Sequence, residues 1–376
     1  MTDDTHRTAR PRPLRFAVVG AGVIGQQHAK VISELEDAEL AVVVDRTEDT
    51  ARKLADSYHA VPLVKLDDAL ARSDVDVFAI CTPSGIHAEQ AAAALEAGKH
   101  VVVEKPVDVS LQAARRLADA EARSSGLATV ISQHRFDPSS LAVHEAVRAG
   151  SLGVVTSGVA TVSWWRSQAY YDSGGWRGTW ELDGGGSLMN QSIHTLDLLV
   201  WMLGRPVEVT AYTARLAHTD IEVEDTAVAT VRFDSGALGV VHATTAAYPG
   251  LTARLQIHGS QGSAVIDDDK LTYFHARSLD PGSEAPAYGA GTSGNQASLL
   301  LPDSGDGTDP TAASDPAALS NAHSRQYVDF IDAIRCGRTP SITVGDACTT
   351  LAVVLAIYRS AAQGRPVTVS SDAGTA

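Results

Sequence analysis

A glycine-rich turn between two short apolar runs constrains this chain more than any other feature. The first run, residues 14–19, leads into Gly-Ala-Gly-Val-Ile-Gly at residues 20–25. The pattern predicts a helix over residues 23–35, and the second apolar run, residues 40–44, ends at Asp45. Strand, glycine turn, helix, strand and acid in this order are typical of a dinucleotide-binding unit.

Each part of this motif predicts a contact with the dinucleotide. Gly20 allows the tight turn, Gly22 leaves space for the pyrophosphate, and Gly25 lets the helix pack close to the strand. The first N–H groups of the helix, those of Val23 and Ile24 among them, are expected to face the phosphates. A lone glycine motif is weak evidence, and the flanking elements supply the context that makes it specific.

Asp45 bears on which nicotinamide cofactor binds. It lies twenty residues after Gly25, where a carboxylate can accept hydrogen bonds from both ribose hydroxyls. Because a carboxylate repels a ribose phosphate, NAD is favoured. Arg46 beside it could still accept NADP, so both cofactors stay open.

Composition excludes several classes of partner. The 376 residues suffice for two domains, and 44% hydrophobic residues is ordinary for a soluble protein. A net charge of −15 repels phosphate backbones, so nucleic acid is not an expected partner. No apolar stretch is expected to reach membrane-spanning length, so no membrane partner is expected either.

The chain start and the cysteines bear on location. Residues 1–13 are polar, carry prolines and lack the apolar core of an export signal, so we expect a disordered start and a cytoplasmic protein. Cys81, Cys336 and Cys348 are odd in number and far apart. They predict buried thiols in a reducing compartment, and neither a disulfide frame nor a zinc site.

Strands and helices alternate as far as residue 132, which predicts a doubly wound parallel sheet of the Rossmann type. In such sheets ligands sit at the carboxyl ends of the strands. The predicted strands 75–80 and 100–103 end at polar or proline-containing turns. Candidate cofactor contacts at these ends are Thr82, Pro83, Glu104 and Lys105, and Gln133 follows the last parallel strand.

The alternation of strands and helices ends near Gly153. From there, short strands with tight turns predict a second, largely antiparallel sheet. Two helices, 324–336 and 345–362, close the chain. The expected fold class is therefore α/β, with a Rossmann domain and an α+β domain with a large open sheet. The predicted divisions are 1–13, 14–132 and 133–370.

A stretch from 278 to 320 is rich in small and polar residues and is expected to be a flexible insertion inside the second domain. A lid, or an arm on a neighbouring subunit, is the alternative.

Lys105 is the first candidate catalytic residue. It ends a central strand next to Glu104 and is followed by Pro106, so it is expected to point into the cofactor crevice. Its ammonium could bind a substrate hydroxyl and stabilise a developing alkoxide. A solvated loop lysine explains the position equally well.

The second candidate is the stretch after Asp183, where three glycines precede a predicted helix over residues 187–203. On that helix Asn190, His194 and Asp197 are expected to share one face. A histidine beside a carboxylate can act as a general base near neutral pH. The polar side of an amphipathic helix is the alternative, and a metal site is disfavoured because no second cluster supplies more ligands.

A group of aromatic residues is the third candidate. Aromatic faces with a polar rim suit a sugar or polyol, although core packing and a subunit contact explain the group nearly as well. Trp176 and Arg177 are the candidate substrate contacts. The aromatic group comprises Trp164, Trp165, Tyr170, Tyr171, Trp176 and Trp180, with Arg166 and Arg177 between them. His87, His134 and His144 show no partner pattern, which favours core or surface roles.

These residues together resemble the glucose–fructose oxidoreductase/inositol dehydrogenase (Gfo/Idh/MocA) family over nearly the whole chain. The matching pieces are residues 20–25, Thr82 and Pro83 with His87, residues 104–106, 133–138, 176–179 and 183–186, His194 with Asp197, and residues 326–330.

The resemblance implies a Rossmann domain followed by a domain whose open sheet forms dimers or tetramers. It implies Lys105 as the catalytic lysine, His194 as the acid/base, and His87 among the cofactor contacts. One departure concerns Asn190, because inositol dehydrogenases of the family carry an aspartate four residues before the histidine. Asparagine cannot relay a proton, so Asp197 is expected to orient His194, or Lys105 to carry more of the proton transfer.

The resemblance and the residues together predict an NAD(P)-dependent oxidoreductase acting on a secondary alcohol of a sugar, sugar derivative or cyclitol. Asn190 and His194 are then also substrate contacts. The chain is expected to form a homodimer or homotetramer through its second sheet. Two other classes stay open: a non-catalytic nucleotide-binding sensor, and a glycoside hydrolase that uses bound NAD in a transient redox cycle.

Overall fold

Six parallel strands form the first layer of the computed structural model, which describes residues 11–279, 294–302 and 320–370. Their order is β3-β2-β1-β4-β5-β6. The order reverses between β1 and β4, so a crevice opens there at the carboxyl ends of the strands. The strands are β1 (Leu14–Val19), β2 (Ala38–Val44), β3 (Val61–Leu63), β4 (Val77–Ile80), β5 (His100–Val103) and β6 (Ala128–Val130). The predicted Rossmann sheet is confirmed.

The helices of the first half cover both faces of this sheet, and so its strands are continuous apolar runs. Ser110 begins one of them, α5, with its Oγ accepting from the N–H of Ala113 at 3.3 Å. The helices are α1 (Val23–Glu34), α2 (Glu48–Ser57), α3 (Leu66–Leu70), α4 (His87–Glu96), α5 (Leu111–Arg123) and α6 (Pro138–Arg148). Neither α3 nor α6 was expected from the sequence.

Eight strands form the second sheet, in the order β13-β12-β11-β7-β10-β9-β8-β14. Only β7 and β10 pair in parallel among these strands, so the predicted mostly antiparallel sheet is confirmed. The strands are β7 (Val155–Ser163), β8 (Pro206–Ala214), β9 (Thr226–Phe233), β10 (Leu238–Thr244), β11 (Ala253–Gly259), β12 (Gly262–Asp267), β13 (Lys270–Ala276) and β14 (Val367–Thr368).

The remaining helices decide how the two sheets join. They are α7 (Gln168–Asp172), α8 (Ile193–Leu203), α9 (Ala297–Leu300), α10 (Ser320–Cys336) and α11 (Val344–Gln363). Helices α8 and α11 pack on one face of the second sheet. Tyr327 and Phe330 of α10 instead join the core of the first sheet beside Phe16. Helix α10 therefore packs on the Rossmann half although it lies within the predicted division 133–370, and the predicted divisions stay predictions.

Two stretches expected to lack order are partly structured. Arg12 pairs with Asp76 at 2.7 Å, while residues 1–10 lie outside the described part. Within the expected insertion, Gln296 and Asn295 bind the backbone of β13, and α9 packs beside it. The prediction of a flexible insertion is wrong for residues 294–302, whereas 280–293 and 303–319 lie outside the described residues.

Helix α11 corrects the expectation that no apolar stretch is long enough to span a membrane. By length and composition alone it is long enough. In the fold it packs as a core helix, with Leu351, Val354 and Ile357 fully buried. The cysteine expectation is also corrected in part: the three thiols are free, but Cys336 is exposed.

Candidate active site

The glycine turn after β1 has the shape that a pyrophosphate needs. Gly20 has φ +96°, and a Cβ atom there would lie 2.6 Å from the carbonyl oxygen of Cys81. A Cβ atom at Gly25 would lie 1.8 Å from the carbonyl oxygen of Gly20. By contrast, nothing lies within 4 Å of the Cβ position of Gly22. The first and third glycines therefore pack the turn, and the second leaves space beside it.

The start of α1 faces the same space without a capping side chain. Gly22 precedes the helix and provides no side-chain hydrogen bond, so the N–H groups that follow are available to phosphate. Val23 is 62% exposed at this mouth, and Ile24 is half-buried. An anionic dinucleotide fits this arrangement.

Asp45 lies at the end of β2, beside the glycine turn. Its Oδ2 accepts from the N–H of Ala21 at 2.9 Å, and its Oδ1 accepts from the N–H of Thr47 at 2.9 Å. Each oxygen has a further lone pair, so a ribose diol fits against the same carboxylate. Arg46 is exposed next to it.

Hydrogen bonds of Thr82 fix the turn that follows β4. The hydroxyl of Thr82 donates to Oε1 of Gln90 at 2.7 Å, and Thr82 and Pro83 are half-buried at the strand end. Both ring nitrogens of His87 contact carbonyl oxygens, that of Pro106 at 2.8 Å and that of Thr82 at 2.6 Å. His87 is 1% exposed and both its ring nitrogens are used in these contacts, and its assignment as a cofactor contact stays a prediction. His87 therefore links the loop after β4 to the loop after β5, and both loops border the cofactor crevice.

Glu104 also lies behind the crevice. It is 4% exposed, and its Oε1 lies 2.7 Å from Nε2 of His28, whose Nδ1 lies 2.5 Å from the hydroxyl of Tyr327. Its Oε2 accepts from the N–H of Lys105 at 3.0 Å. Burial opposes the charge on Glu104, but the contacts with His28 and His323 hold the pKa of this carboxyl well below its usual range. Glu104 therefore anchors the Lys105 backbone, and its assignment as a cofactor contact stays a prediction.

Gln133, expected to reach the cofactor, is 1% exposed just beyond β6. Its Oε1 is buried and has no hydrogen-bond partner among the described residues. An unpartnered buried acceptor is costly, so a donor from a bound ligand would relieve it. A cofactor contact of Gln133 stays a prediction.

Lys105 and Asn190 meet across the two sheets. Nζ of Lys105 donates to the main-chain oxygen of Asn190 at 2.9 Å and to its Oδ1 at 3.3 Å. Nδ2 of Asn190 donates to Oδ1 of Asp183 at 2.5 Å, and the other oxygen of Asp183 accepts from the N–H of Gly178 at 2.8 Å. The result is a row of ammonium, amide and carboxylate.

The ionisation of this row follows from its burial. Burial lowers the pKa of Lys105, although Glu104 and Asp183 favour its charged form. Burial raises the pKa of Asp183 to about 6, against the hydrogen bonds from Gly178 and Asn190. Asp183 belongs to the matched motif, but the sequence assigned it no role because its contact with Asn190 could not be predicted.

A π-helical turn, Ser187–Gln191, carries Asn190 and is followed by α8 with His194. The N–H of Ser192 donates to the oxygen of Ser187, five residues back. The carboxylate of Glu224 accepts from the N–H groups of Gly186 at 3.1 Å and Leu188 at 2.8 Å, which fixes the start of the turn. The predicted continuous helix from 187 to 203 is therefore wrong at its start.

His194 lies half-buried at the beginning of α8, with its ring edge-on to that of His134 and the centroids 5.2 Å apart. Nδ1 of His134 contacts Asp137 at 2.8 Å and Asp269 at 3.0 Å. Burial disfavours the charged ring, yet the two carboxylates raise the pKa of His134 to about 10. Burial, the His134 charge and Lys105 hold the pKa of His194 well below its usual value. The arrangement keeps His194 neutral.

Asp197 does not orient His194. Its two oxygens accept from Nε and NH2 of Arg135, each at 2.7 Å, and one also accepts from the hydroxyl of Thr350 at 2.8 Å. Asp197 is 3% exposed and Arg135 is 6% exposed. The predicted catalytic role of Asp197 is therefore wrong, and the residue forms a buried ion pair between α8 and the loop after β6.

Two members of the aromatic group, Tyr170 and Trp176, form a wall with Arg177 next to the turn that carries Asn190. Arg177 lies over the rings of Tyr170 and Trp176, at 4.4 and 4.8 Å from their centroids, and its NH1 donates to the hydroxyl of Tyr170 at 2.7 Å. Gln191 joins this wall to the π-helical turn, since its Nε2 donates to the same hydroxyl at 2.9 Å. Trp176 and Arg177 thus lie beside the turn that carries Asn190, where they could contact a substrate.

Among the residues that the structure describes, two groups of side chains have the spacing to ligate a metal. They are His28, Glu104 and His323, and His134, Asp137 and Asp269. In each group a histidine nitrogen already lies within hydrogen-bond distance of a carboxylate, as the contacts above show. The expectation that the site uses no metal stays a prediction.

Comparison with known proteins finds a matching family model for each half of the chain. Residues 14–132 match the model of an oxidoreductase family with an NAD-binding Rossmann fold, and residues 140–265 match the model of the GFO/IDH/MocA C-terminal domain.

Three relatives illustrate the match. Inositol 2-dehydrogenase of Rhizobium meliloti is 27% identical over 95% of this chain and 99% of its own length. The uncharacterized oxidoreductase YrbE of Bacillus subtilis is 30% identical over 70% of this chain and 76% of its own. The WlbA dehydrogenase from Bordetella pertussis, solved in complex with NADH and UDP-GlcNAcA, is 30% identical with a TM-score of 0.83, covering 96% of this chain and 99% of its own.

Proposed function

Because the chain belongs to the GFO/IDH/MocA family of NAD-dependent dehydrogenases, we propose that it acts on a secondary alcohol or ketone of a sugar, sugar derivative or cyclitol. Relatives named as dehydrogenases of inositol and of a D-glucoside support this substrate class. NAD, when bound, supplies the hydride acceptor of the oxidation. The residues of the chain bind the substrate and move its proton.

One observation carries the proposal: Nζ of Lys105 lies 2.9 and 3.3 Å from the two oxygens of Asn190. This contact brings the lysine at the end of a Rossmann strand to the turn that begins the helix of His194. A hydroxyl oxygen bound by Lys105 would be stabilised as its proton leaves, because an ammonium in a buried site favours negative charge on its partner.

His194 is the proposed acceptor of the hydroxyl proton. Its depressed pKa leaves the imidazole neutral at neutral pH, so a ring nitrogen is available to take the proton. The cationic Lys105 makes that proton easier to remove by stabilising the alkoxide. Asn190 holds the ammonium in place, but its amide cannot carry a proton to Asp183.

The cofactor would be held on the other side of the crevice. Gly22 leaves room for the pyrophosphate against the start of α1, and Asp45 accepts the ribose hydroxyls.

The test is the absorbance of reduced nicotinamide when the protein is mixed with NAD and a panel of cyclitols, aldoses and sugar acids. In the Lys105→Ala variant we expect kcat to fall by about 10³-fold while the Kd for NAD changes by no more than a few fold. Lys53→Ala removes an exposed lysine on α2 and serves as the matched control. Full activity of the Lys105 variant would overturn the assignment.

We also propose that the second sheet pairs with a second copy of the chain. On the face away from α8 and α11, Tyr212 lies opposite Val228, and Val240 lies opposite Thr230. Tyr212 is 73% exposed, and Val228 and Val240 are each 44% exposed. Exposed apolar side chains clustered on one face of a sheet are typical of subunit contacts.

A further inference from the structure

We propose that the substrate of this site carries an oxyanion, a carboxylate or a phosphate ester, that binds to the guanidinium groups of Arg166 and Arg177. The inference rests on the proposed function, since it names the chemical class of substrate that the same site takes.

The two arginines are held on one aromatic ring. The guanidinium carbon of Arg166 lies 5.4 Å from the centroid of Tyr170, and that of Arg177 lies 4.4 Å from it. Trp164 lies under Arg166 at 5.1 Å, and Trp176 lies under Arg177 at 4.8 Å. Aromatic faces stabilise a guanidinium without neutralising it, so two positive charges are kept near the same ring.

Hydrogen bonds connect this pair to the catalytic lysine. NH2 of Arg166 donates to Oε1 of Gln191 at 3.0 Å, and Gln191 directly follows Asn190, whose oxygens bind Lys105. The charges also reach the lysine: after burial, which is the largest cause, both guanidinium groups contribute to the lowered pKa of Lys105. An anionic group bound by the arginines would thus belong to the same molecule as the reacting hydroxyl.

Neither guanidinium forms an ion pair with a carboxylate within residues 11–279, 294–302 and 320–370. Arg166 donates to Gln191 and to the main-chain oxygen of Trp165, and Arg177 donates to the hydroxyl of Tyr170, all of which are neutral. Asp183 lies close enough to Arg177 for that charge to lower the pKa of the carboxyl. The hydrogen bonds of Asp183, however, go to Gly178 and Asn190.

The chain offers carboxylates that pair with a buried arginine elsewhere. The chain has 45 acidic and 30 basic residues, so acids are plentiful, and the buried Arg135 has two carboxylate partners. Burial also lowers the pKa of Arg166, which means that its charge is partly removed from water. A further hydrogen-bond donor is unused, because Nε1 of Trp164 is buried and has no hydrogen-bond partner in the described parts of the chain.

The site presents several hydrogen-bond donors and two cations, and no carboxylate of the described residues forms an ion pair with them. Such a site favours binding of an anion. The planar guanidinium fork matches the oxygens of a carboxylate or a phosphate, and such charge-assisted contacts are stronger than those to neutral hydroxyls. An incoming oxyanion would also relieve the repulsion between the two cations on Tyr170.

The experiment measures binding without turnover. Isothermal titration calorimetry on the full chain saturated with NADH would compare glucose, glucuronate and glucose 6-phosphate, which share a ring and differ in charge. We expect at least one acid to bind about 10-fold or more tightly than glucose. The acid that does so distinguishes a carboxylate from a phosphate. Equal affinities, or tighter binding of glucose, would overturn the proposal.

Variants assign the preference to the arginines. In Arg166→Gln and Arg177→Gln the preference for the acid should fall about 10-fold, and Arg→Lys at the same positions should restore part of it, because charge returns without the fork. Arg205→Gln, an exposed arginine paired with Asp234, should leave the preference unchanged. An unchanged preference in both Gln variants would assign the anion to another site and contradict the inference.

The two proposals fail in different ways. Charge preference in binding without any reduction of NAD would contradict the dehydrogenase proposal alone. Turnover of a neutral sugar with no charge preference would contradict the oxyanion proposal alone.

Discussion

The rings of His134 and His194 lie edge-on, with centroids 5.2 Å apart, and in the described part of the chain only His134 of the two contacts carboxylates. Asp137 and Asp269 raise the pKa of His134 to about 10 against the effect of its burial, so it is a cation at neutral pH. A fixed cation at this distance disfavours a second charge on His194. Burial and this neighbouring cation therefore keep the proposed base neutral.

Replacing His134 by Gln should move the acid limb of the pH profile of kcat/KM to higher pH. His194 accepts a proton only when neutral, so activity falls as the pH drops through its pKa. Removing the His134 charge raises that pKa toward its usual value, because a repulsive contribution is lost. The other charged groups acting on His194 are Lys105, Glu104 and His323, which stay in place.

Asp269→Asn is a second variant for this test, because it removes one of the two carboxylates that contact His134. Asp269 has φ +59°, a conformation that asparagine tolerates, so the hairpin turn should persist. Its loss lowers the pKa of His134 but leaves the Asp137 contact, so His134 stays a cation at the low pH where His194 titrates, and the acid limb should not move to higher pH. A profile unchanged in His134→Gln as well would show that His134 does not tune the base.

The Rossmann half was predictable because its signals are local. Gly20, Gly22 and Gly25 follow directly from the geometry of one turn, and Lys105 follows from its place at the end of a buried strand. The contact of Lys105 with Asn190 could not be predicted, since it joins residues 85 positions apart through the packing of two sheets.

Asp197 shows why the rest was misassigned. The spacing from His194 to Asp197 assumed that both side chains act on one ligand, whereas Arg135, 62 residues earlier, takes both carboxylate oxygens. The π-helical turn at Ser187–Gln191 also changes the register before α8. Neither a distant ion-pair partner nor an extra residue in a helical turn leaves a periodic signal.

Asn190→Asp should reduce activity, although it restores the aspartate found in inositol dehydrogenases of the family. The new carboxyl would lie where Nδ2 of Asn190 now donates to Asp183 at 2.5 Å. Two carboxyl groups at that distance cannot both ionise, so one retains a proton and the row next to Lys105 is disturbed. We expect kcat/KM at pH 8 to fall roughly 10-fold.

The double variant Asn190→Asp/Asp183→Asn provides the check. It exchanges carboxylate and amide and restores one donor facing one acceptor, with the carboxylate now on Lys105. Activity should recover toward that of the unmodified enzyme. If the double variant is as impaired as the single one, the contact between the two side chains does not explain the loss.

Asp197→Asn should mainly destabilise the fold. It leaves the buried guanidinium of Arg135 with only Asp346, at 3.3 Å, as a carboxylate partner. Removing one member of a buried ion pair costs about 3 kcal/mol, which urea unfolding would measure. The pH profile should not move, because Asp197 does not contact His194. A shifted pH profile with unchanged stability would instead revive an orienting role for Asp197.

Val240→Lys should weaken the proposed contact between two copies of the chain. Val240 is 44% exposed in the middle of the open face of the second sheet, where a lysine would be buried without a partner in a dimer. Light scattering after size exclusion should show a lower molar mass than for the unmodified protein. Leu299→Lys, at a residue 70% exposed on α9, is the control. An equal mass for both variants and the parent would rule out this face.

Asp45→Ser should relax the preference for NAD over NADP. The carboxylate now accepts from the N–H groups of Ala21 and Thr47, and a serine hydroxyl can replace one of these contacts, so the glycine turn should keep its shape. A ribose phosphate would no longer face a fixed negative charge. Since like charges in contact cost several kcal/mol, the ratio of kcat/KM for NAD to that for NADP should fall roughly 100-fold.

Arg46 distinguishes relief of repulsion from new attraction. It is exposed beside Asp45 and could reach a ribose phosphate once the carboxylate is gone. In Asp45→Ser/Arg46→Ala, use of NADP should fall again while use of NAD stays as in the single variant. If the ratio is unchanged in Asp45→Ser itself, the carboxylate does not select the cofactor, and the choice is made by other residues around the ribose.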